Sequence, residues 1–174
     1  ATIEDELQVI RKIDDLLSKH KDERGIILTS SIGRCNDILS NLSSENQGRI
    51  RICHTKNTNG KTQDEILNEH AESKNGVLLS SSLWEGIDLK NDLSRFQIIA
   101  KVPYPNFKDR WTAAKREKFP LWYTSQTIRK LLQGFGRSIR SEKDWAVTYV
   151  LDSSVNSLLM RSHNLVPKAY YDIL

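Results

Sequence analysis

Residues Gln133-Gly134-Phe135-Gly136-Arg137-Ser138-Ile139-Arg140 place one amide and two guanidiniums at i, i+4 and i+7. On a continuous helix those three side chains share one face. Fixed planar donors at that spacing suit an anion, with phosphate the first candidate. Such arginines can also stabilise charge spread over a transferring phosphoryl group. The same pattern describes a solvated basic helix face, or arginines paired with Glu142, Asp144 or Asp152. Gly134 and Gly136 each cost a helix about 1 kcal/mol relative to Ala. A helix tolerates such residues best where something approaches closely.

A second segment, Ser80-Ser81-Ser82-Leu83-Trp84-Glu85-Gly86-Ile87-Asp88, leaves an apolar run as three hydroxyls. Hydroxyls and loop amides suit phosphate-backbone contacts, and Trp84 can stack on a base or pack under the loop. Gly86 permits backbone geometry that other residues resist. Asp88 can accept from a ribose hydroxyl, a water or an arginine. The competing reading is an ordinary strand-end turn with a packing Trp. Thr29-Ser30-Ser31 can contact phosphates, or can cap the helix that follows. Lys108, Arg110, Lys115, Arg116 and Lys118 cluster near Trp111, as a nucleic-acid path or as a solvated helix face.

The elements that must position these residues alternate between helical and extended patterns. Apolar positions predict helices over 3–17, through 38–42, over 62–71, 109–118 and 122–140, and from 155 onward. Short apolar runs predict strands at 25–30, 76–80, 95–102 and 146–151, and alternation predicts one at 49–53. Pro103-Tyr104-Pro105 stops regular structure. The alternation predicts an α/β fold with a mostly parallel central sheet. Ligands of such sheets bind at the carboxyl ends of the strands. Thr29–Ser31, Ser80–Asp88 and residues 103–107 all fall at such ends.

The chain has 174 residues, enough for one domain with its own core, and 38% are hydrophobic. The net charge of +4 permits a nucleic-acid partner. No apolar run is long enough to span a membrane, and no signal-peptide pattern opens the chain. Cys35 and Cys53 are too few for a four-thiolate iron–sulfur or zinc site and read as reduced, packed thiols. His20, His54, His70 and His163 show no metal spacing and read as structural.

Trp84-Glu85-Gly86-Ile87-Asp88, Lys101-Val102-Pro103-Tyr104-Pro105 and Gln133 to Arg140, in this order and spacing, resemble the DinG/XPD-like branch of superfamily 2 helicases. The resemblance covers the whole chain, 1–174, as one domain: the second, C-terminal RecA-like motor domain, a three-layer fold. It implies that Arg137 and Arg140, supported by Gln133, reach the γ-phosphate of ATP held mainly by a first RecA-like domain of the same protein. It implies that Glu85, Gly86 and Asp88 couple the nucleotide cleft to the DNA groove. Ser30, Ser31, Ser82 and Trp84 would touch single-stranded DNA. ATP with Mg²⁺ is the implied cofactor, travel 5′ to 3′ the implied direction, and nucleoid, nucleus or cytoplasm the implied location. No phosphate loop of the G-x-x-x-x-G-K-[ST] type and no metal-holding acidic box occurs in the sequence. The isolated chain is therefore expected not to hydrolyse ATP, and no metal or iron–sulfur site is expected in it. The residues also admit a non-catalytic nucleic-acid-binding module, a DEAD/DEAH-type RNA helicase domain, or a Rossmann-like transferase. Asn106-Phe107-Lys108-Asp109-Arg110 departs from the further proline that many relatives carry there.

Overall fold

The computed structural model describes residues 3–54, 58–106, 108–136, 138 and 144–167. Five short strands form one sheet: β1 (Gly25–Leu28), β2 (Ile50–Ile52), β3 (Val77–Ser80), β4 (Phe96–Ile99) and β5 (Val147–Val150). Their order is β2-β3-β1-β4-β5 and every pairing is parallel. All carboxyl ends therefore lie along one rim. β1, β3 and β4 are buried along their whole length, as expected of strands covered on both faces.

Two apolar layers follow from the alternation of side chains along each strand. On one face Ile27, Leu79, Phe96 and Ile98 pack with Ile10, Ile13, Leu16 and Leu17 of α1 (Ile3–Lys19). Cys35 and Ile38 of α2 (Ile32–Asn41) complete that layer. On the other face Ile26, Leu28, Leu78 and Ile99 meet Ile66 of α4 (Gln63–Glu72) and Ile128 and Leu131 of α6 (Pro120–Phe135). Val155 and Leu158 of α7 (Ser154–Arg161) join the same layer. The molecule is thus a three-layer α/β domain.

Local chemistry sets the helix ends. Glu4, Asp5 and Glu6 open α1 and Lys19 closes it, each complementing the helix dipole. Thr62 and Glu65 form a reciprocal capping box at the start of α4. Asp109 caps α5 (Arg110–Lys118) by accepting from the Thr112 amide at 2.8 Å. The continuous 49–53 strand expected from alternation begins one residue late. Arg49 instead ends a short helix, α3 (Ser44–Arg49), that the alternation hid.

The 122–140 helix requires a larger correction. α6 ends at Phe135, and the Gly136 cap bonds its N–H to the carbonyls of Leu132 and Gly134. One unbroken helical face bearing Gln133, Arg137 and Arg140 is therefore not what α6 provides. Arg137 and Arg140 lie outside the described residues, as does Phe107.

Candidate nucleotide and nucleic-acid interface

The rim is built from the residues that follow each strand. After β1, Thr29 stays in register by donating its amide to Ser80 O at 3.0 Å. Ser30 and Ser31 then emerge to solvent. Ser31 begins α2, its Oγ accepting from the Arg34 amide at 3.2 Å. That hydroxyl serves as a helix cap in this structure, while Ser30 stands exposed beside it.

After β3 the chain turns sharply on Ser80. Its fully buried Oγ accepts from the amides of Ser82 and Leu83 at 3.1 and 3.2 Å. Ser82 is half-buried above it, with its Oγ 3.4 Å from that of Ser80. Leu83, Trp84, Ile87 and Leu89 all point into the core. Glu85, Gly86 and Asp88 alternate outward with them. Gly86 adopts a φ of +87°, in the left-handed region that favours glycine. Asp88 pairs with Lys90 at 3.1 Å on the surface.

Trp84 is corrected by the structure. It is 1% exposed, and its indole N–H donates to Thr29 O at 3.1 Å. The ring is an internal strut joining the loops after β3 and β1, so no base can stack on it here. The close approach anticipated at Gly134 is made by this same indole, since a side chain on Gly134 would collide with it. Gly136 has no neighbour nearer than 3.8 Å and closes α6 instead. Gln133, the described member of the three-residue set, is exposed in the last turn of α6. Trp84 and Gly134 thus join the Glu85–Asp88 loop to the end of the helix that carries Gln133.

Just beyond, Ser138 is buried and donates its O–H to Ser94 Oγ at 2.7 Å. Ser94 in turn donates to Phe96 O. Gln97 of β4 donates to Phe135 O at 2.9 Å. These bonds tie the segment after α6 to the start of β4.

After β4, Lys101-Val102-Pro103-Tyr104-Pro105 is braced by the end of β5. Asp152 accepts from the Val102 amide at 3.0 Å, from the Ser154 amide at 3.0 Å and from Lys101 Nζ at 3.1 Å. Burial alone would raise its pKa, but these donors together hold the carboxylate below its ordinary value. Sequence reading considered Asp152 as an arginine partner; its described partners are these instead. Cys35 and Cys53 are buried thiols, each pushed up to about 11 by burial. A Ser81 side-chain hydrogen bond partly opposes the shift at Cys35. Among the described residues, no group of three or more His, Cys, Asp or Glu side chains stands close enough to hold a metal ion. No described helix is long and apolar enough to cross a membrane.

A family model described as the helicase C-terminal domain matches residues 14–169. Among curated proteins, the chain is 29% identical over 115 residues to the ATP-dependent DNA helicase CHL1 of Candida albicans, covering 51% of this chain and 14% of that protein. It is 29% identical over 111 residues to the ATP-dependent DNA helicase YoaA of Escherichia coli, covering 59% of this chain and 17% of that one. The chain thus spans under a fifth of the curated relatives it matches. Among solved structures, it superposes on the C-terminal domain of the DEAD-box protein Dbp5 with a TM-score of 0.59 at 16% identity, covering 90% of this chain and 79% of that one. Domain 2 of the DEAD-box helicase Mss116p gives 0.61 at 13% identity, covering 92% and 55%. At such identities the likeness concerns the RecA-like fold.

Proposed function

The chain belongs to the helicase C-terminal domain family, and from that premise we propose that it is the second RecA-like motor domain of an ATP-dependent DNA helicase. In this reading a first domain of the same protein holds Mg²⁺ and most of the ATP. This chain closes over the nucleotide and supplies part of a single-stranded DNA groove. Arg137 and Arg140 stabilise charge developing on the γ-phosphate, with Gln133 beside them. Ser30, Ser31 and Ser82 contact the strand's phosphates through hydroxyls and rim amides. Glu85, Gly86 and Asp88 form the loop between the two, and travel is 5′ to 3′ where the DNA resides.

The observation that carries this reading is the joint between Trp84 and Gly134. A motor must convert a change at the nucleotide into a displacement at the strand. Rigid packing of the loop after β3 against the end of α6 gives that conversion a physical path, because close-packed elements shift together. Trp84 then acts as the pivot of the joint, and the names of the curated relatives support DNA as the strand.

ATP hydrolysis by the protein carrying both motor domains is measured with and without single-stranded DNA, beside this chain alone. The expected result is DNA-stimulated turnover by the former and none by the latter. Arg140→Ala should lower turnover by about 10³-fold or more with ATP binding retained. Unchanged turnover removes the arginine's role. DNA binding without turnover in the two-domain protein replaces the motor with a non-catalytic binding module. Stronger stimulation by RNA than by DNA moves the domain to the RNA helicases.

A further inference from the structure

The chain holds two Asn-Gly pairs, Asn59-Gly60 and Asn75-Gly76, in opposite surroundings. An asparagine amide is open to attack by the backbone nitrogen of the next residue, and a glycine there, lacking Cβ, lets the two approach. Asn59 and Gly60 form the exposed tip of a turn that follows β2, on the rim at the carboxyl ends of the strands. Their φ values of +52° and +80° are both left-handed, as in the two-residue turns that favour Asn-Gly. Two backbone bonds close the turn: the Thr58 amide donates to Lys61 O at 2.9 Å and the Lys61 amide to Thr58 O at 3.0 Å. A side chain built on Gly60 would meet nothing within 4 Å. Among the described residues no hydrogen bond holds the Asn59 side chain or the Gly60 amide.

The second pair is fastened at each reacting group. The Gly76 amide donates to Ser73 Oγ at 3.0 Å. Asn75 Nδ2 donates to Lys21 O at 2.7 Å, and Asn75 O accepts from Arg49 Nε at 3.0 Å. Gly76 is buried, and a Cβ there would lie 2.3 Å from Ser73 Oγ, so the backbone has no room to turn.

We propose that Asn59 is a site of spontaneous deamidation in the folded chain, and that the fold protects Asn75 from the same reaction. The Gly60 nitrogen gives up its proton and bonds to Asn59 Cγ. The Cγ–Nδ2 bond breaks and Nδ2 leaves as ammonia with that proton, closing a cyclic imide. Water then opens the imide, and nothing is oxidised or reduced. Addition at Cγ gives an aspartate in an ordinary backbone. Addition at the main-chain carbonyl carbon gives an isoaspartate, whose backbone runs through Cβ and Cγ. Either product sets a carboxylate on the rim and lowers the net charge of +4 by one. The iso form also adds a methylene to the backbone, which the Thr58–Lys61 pairing must absorb.

The full chain is incubated in heavy-oxygen water at mildly alkaline pH, folded in one arm and in urea in the other. Tryptic peptides are followed by mass spectrometry, and isoaspartate is registered with a protein isoaspartyl methyltransferase. In the folded arm Asn59 should lose its amide and take up label. Asn75 should react about tenfold or more slowly, since its hydrogen bonds must open first. In urea the two should react at similar rates. Asn59→Gln should stop the labelling at that position. Ser73→Ala, which frees the Gly76 amide, should speed the reaction at Asn75 and leave that at Asn59 unchanged. An unlabelled Asn59 in the folded chain, over an interval in which the urea-treated chain reacts, overturns the site. Equal rates at Asn59 and Asn75 in the folded chain overturn the protection.

Discussion

The Cα of Gly134 stands so close to the indole of Trp84 that a Cβ built on it would lie 3.0 Å from Cζ3 and 3.1 Å from Cε3. The backbone of α6 at Gly134 therefore rests directly on the Trp84 indole that the loop after β3 sends inward. Gly134→Ala gains about 1 kcal/mol in helix propensity and loses about 1–3 kcal/mol by overpacking. Urea denaturation should show a net loss of about 1 kcal/mol. In a Trp84→Phe background the same alanine should cost less, with a coupling of about 1 kcal/mol between the two sites. Strict additivity would mean that the two positions do not touch in solution.

Trp84→Ala removes a fully buried ring and its bond to Thr29. Stability should fall by about 3–5 kcal/mol. The fraction that remains folded should bind single-stranded DNA as the unaltered chain does. Weaker binding at unchanged thermal stability would return Trp84 to the strand-contacting surface.

Arg49 is 8% exposed and fastens four backbone carbonyls. Its Nε donates to Asn75 O at 3.0 Å, while Nη1 donates to Leu17 O at 2.6 Å and to Asn46 Oδ1 at 3.3 Å. Nη2 donates to His20 O and Glu23 O at 2.8 and 3.1 Å. Burial lowers its pKa, and the charges of Glu45 and Asp22 oppose that shift. Arg49→Ala should cost about 3 kcal/mol in denaturant unfolding, because several buried carbonyls lose their donors. Arg49→Lys should recover little, since an ammonium cannot reproduce the fork. Full recovery by lysine would show that charge alone matters there.

Asp152 sets an acid limit on the rim. Its carboxylate is held below its ordinary value of 3.8 in the folded chain. A depressed folded pKa contributes stability above the unfolded value, and that contribution is lost as pH falls through the folded value. Asp152→Asn should therefore be less stable than the unaltered chain at neutral pH. The gap should narrow as the pH is taken below 3.8. A constant gap across that range would exclude the carboxylate's charge as the cause.

The parallel sheet was legible because three of its strands are short, mostly apolar runs between polar turns, as burial on both faces requires. The motif positions were legible because their residue types are costly or unusual where they occur: glycines in a helix, three hydroxyls after a strand. The agent behind those glycines was not. Gly134 reads the same whether a phosphate or an indole approaches it, and the difference lies in a contact fifty positions away along the chain. The end of α6 was obscured because Gly136 caps it without a positive φ, so composition resembled an interrupted helix. Arg49 escaped notice since its partners are carbonyls scattered over α1, its following turn and the loop before β3. Carbonyl oxygens leave no mark in a sequence.

The central position of β1 has a consequence for how the chain is made. Its partners are β3 and β4, and three helices and a further strand of the sheet are synthesised before the first of them. While a ribosome delivers those residues, Gly25-Ile26-Ile27-Leu28 has neither neighbour, and both its hydrogen-bonding edges and its apolar side chains are open. Loop-closure entropy must be overcome across that whole interval before the sheet begins to repay it. The nascent chain therefore passes through a stage in which its central strand is its most adhesive segment, and slow emergence of residues 77–99 prolongs that stage.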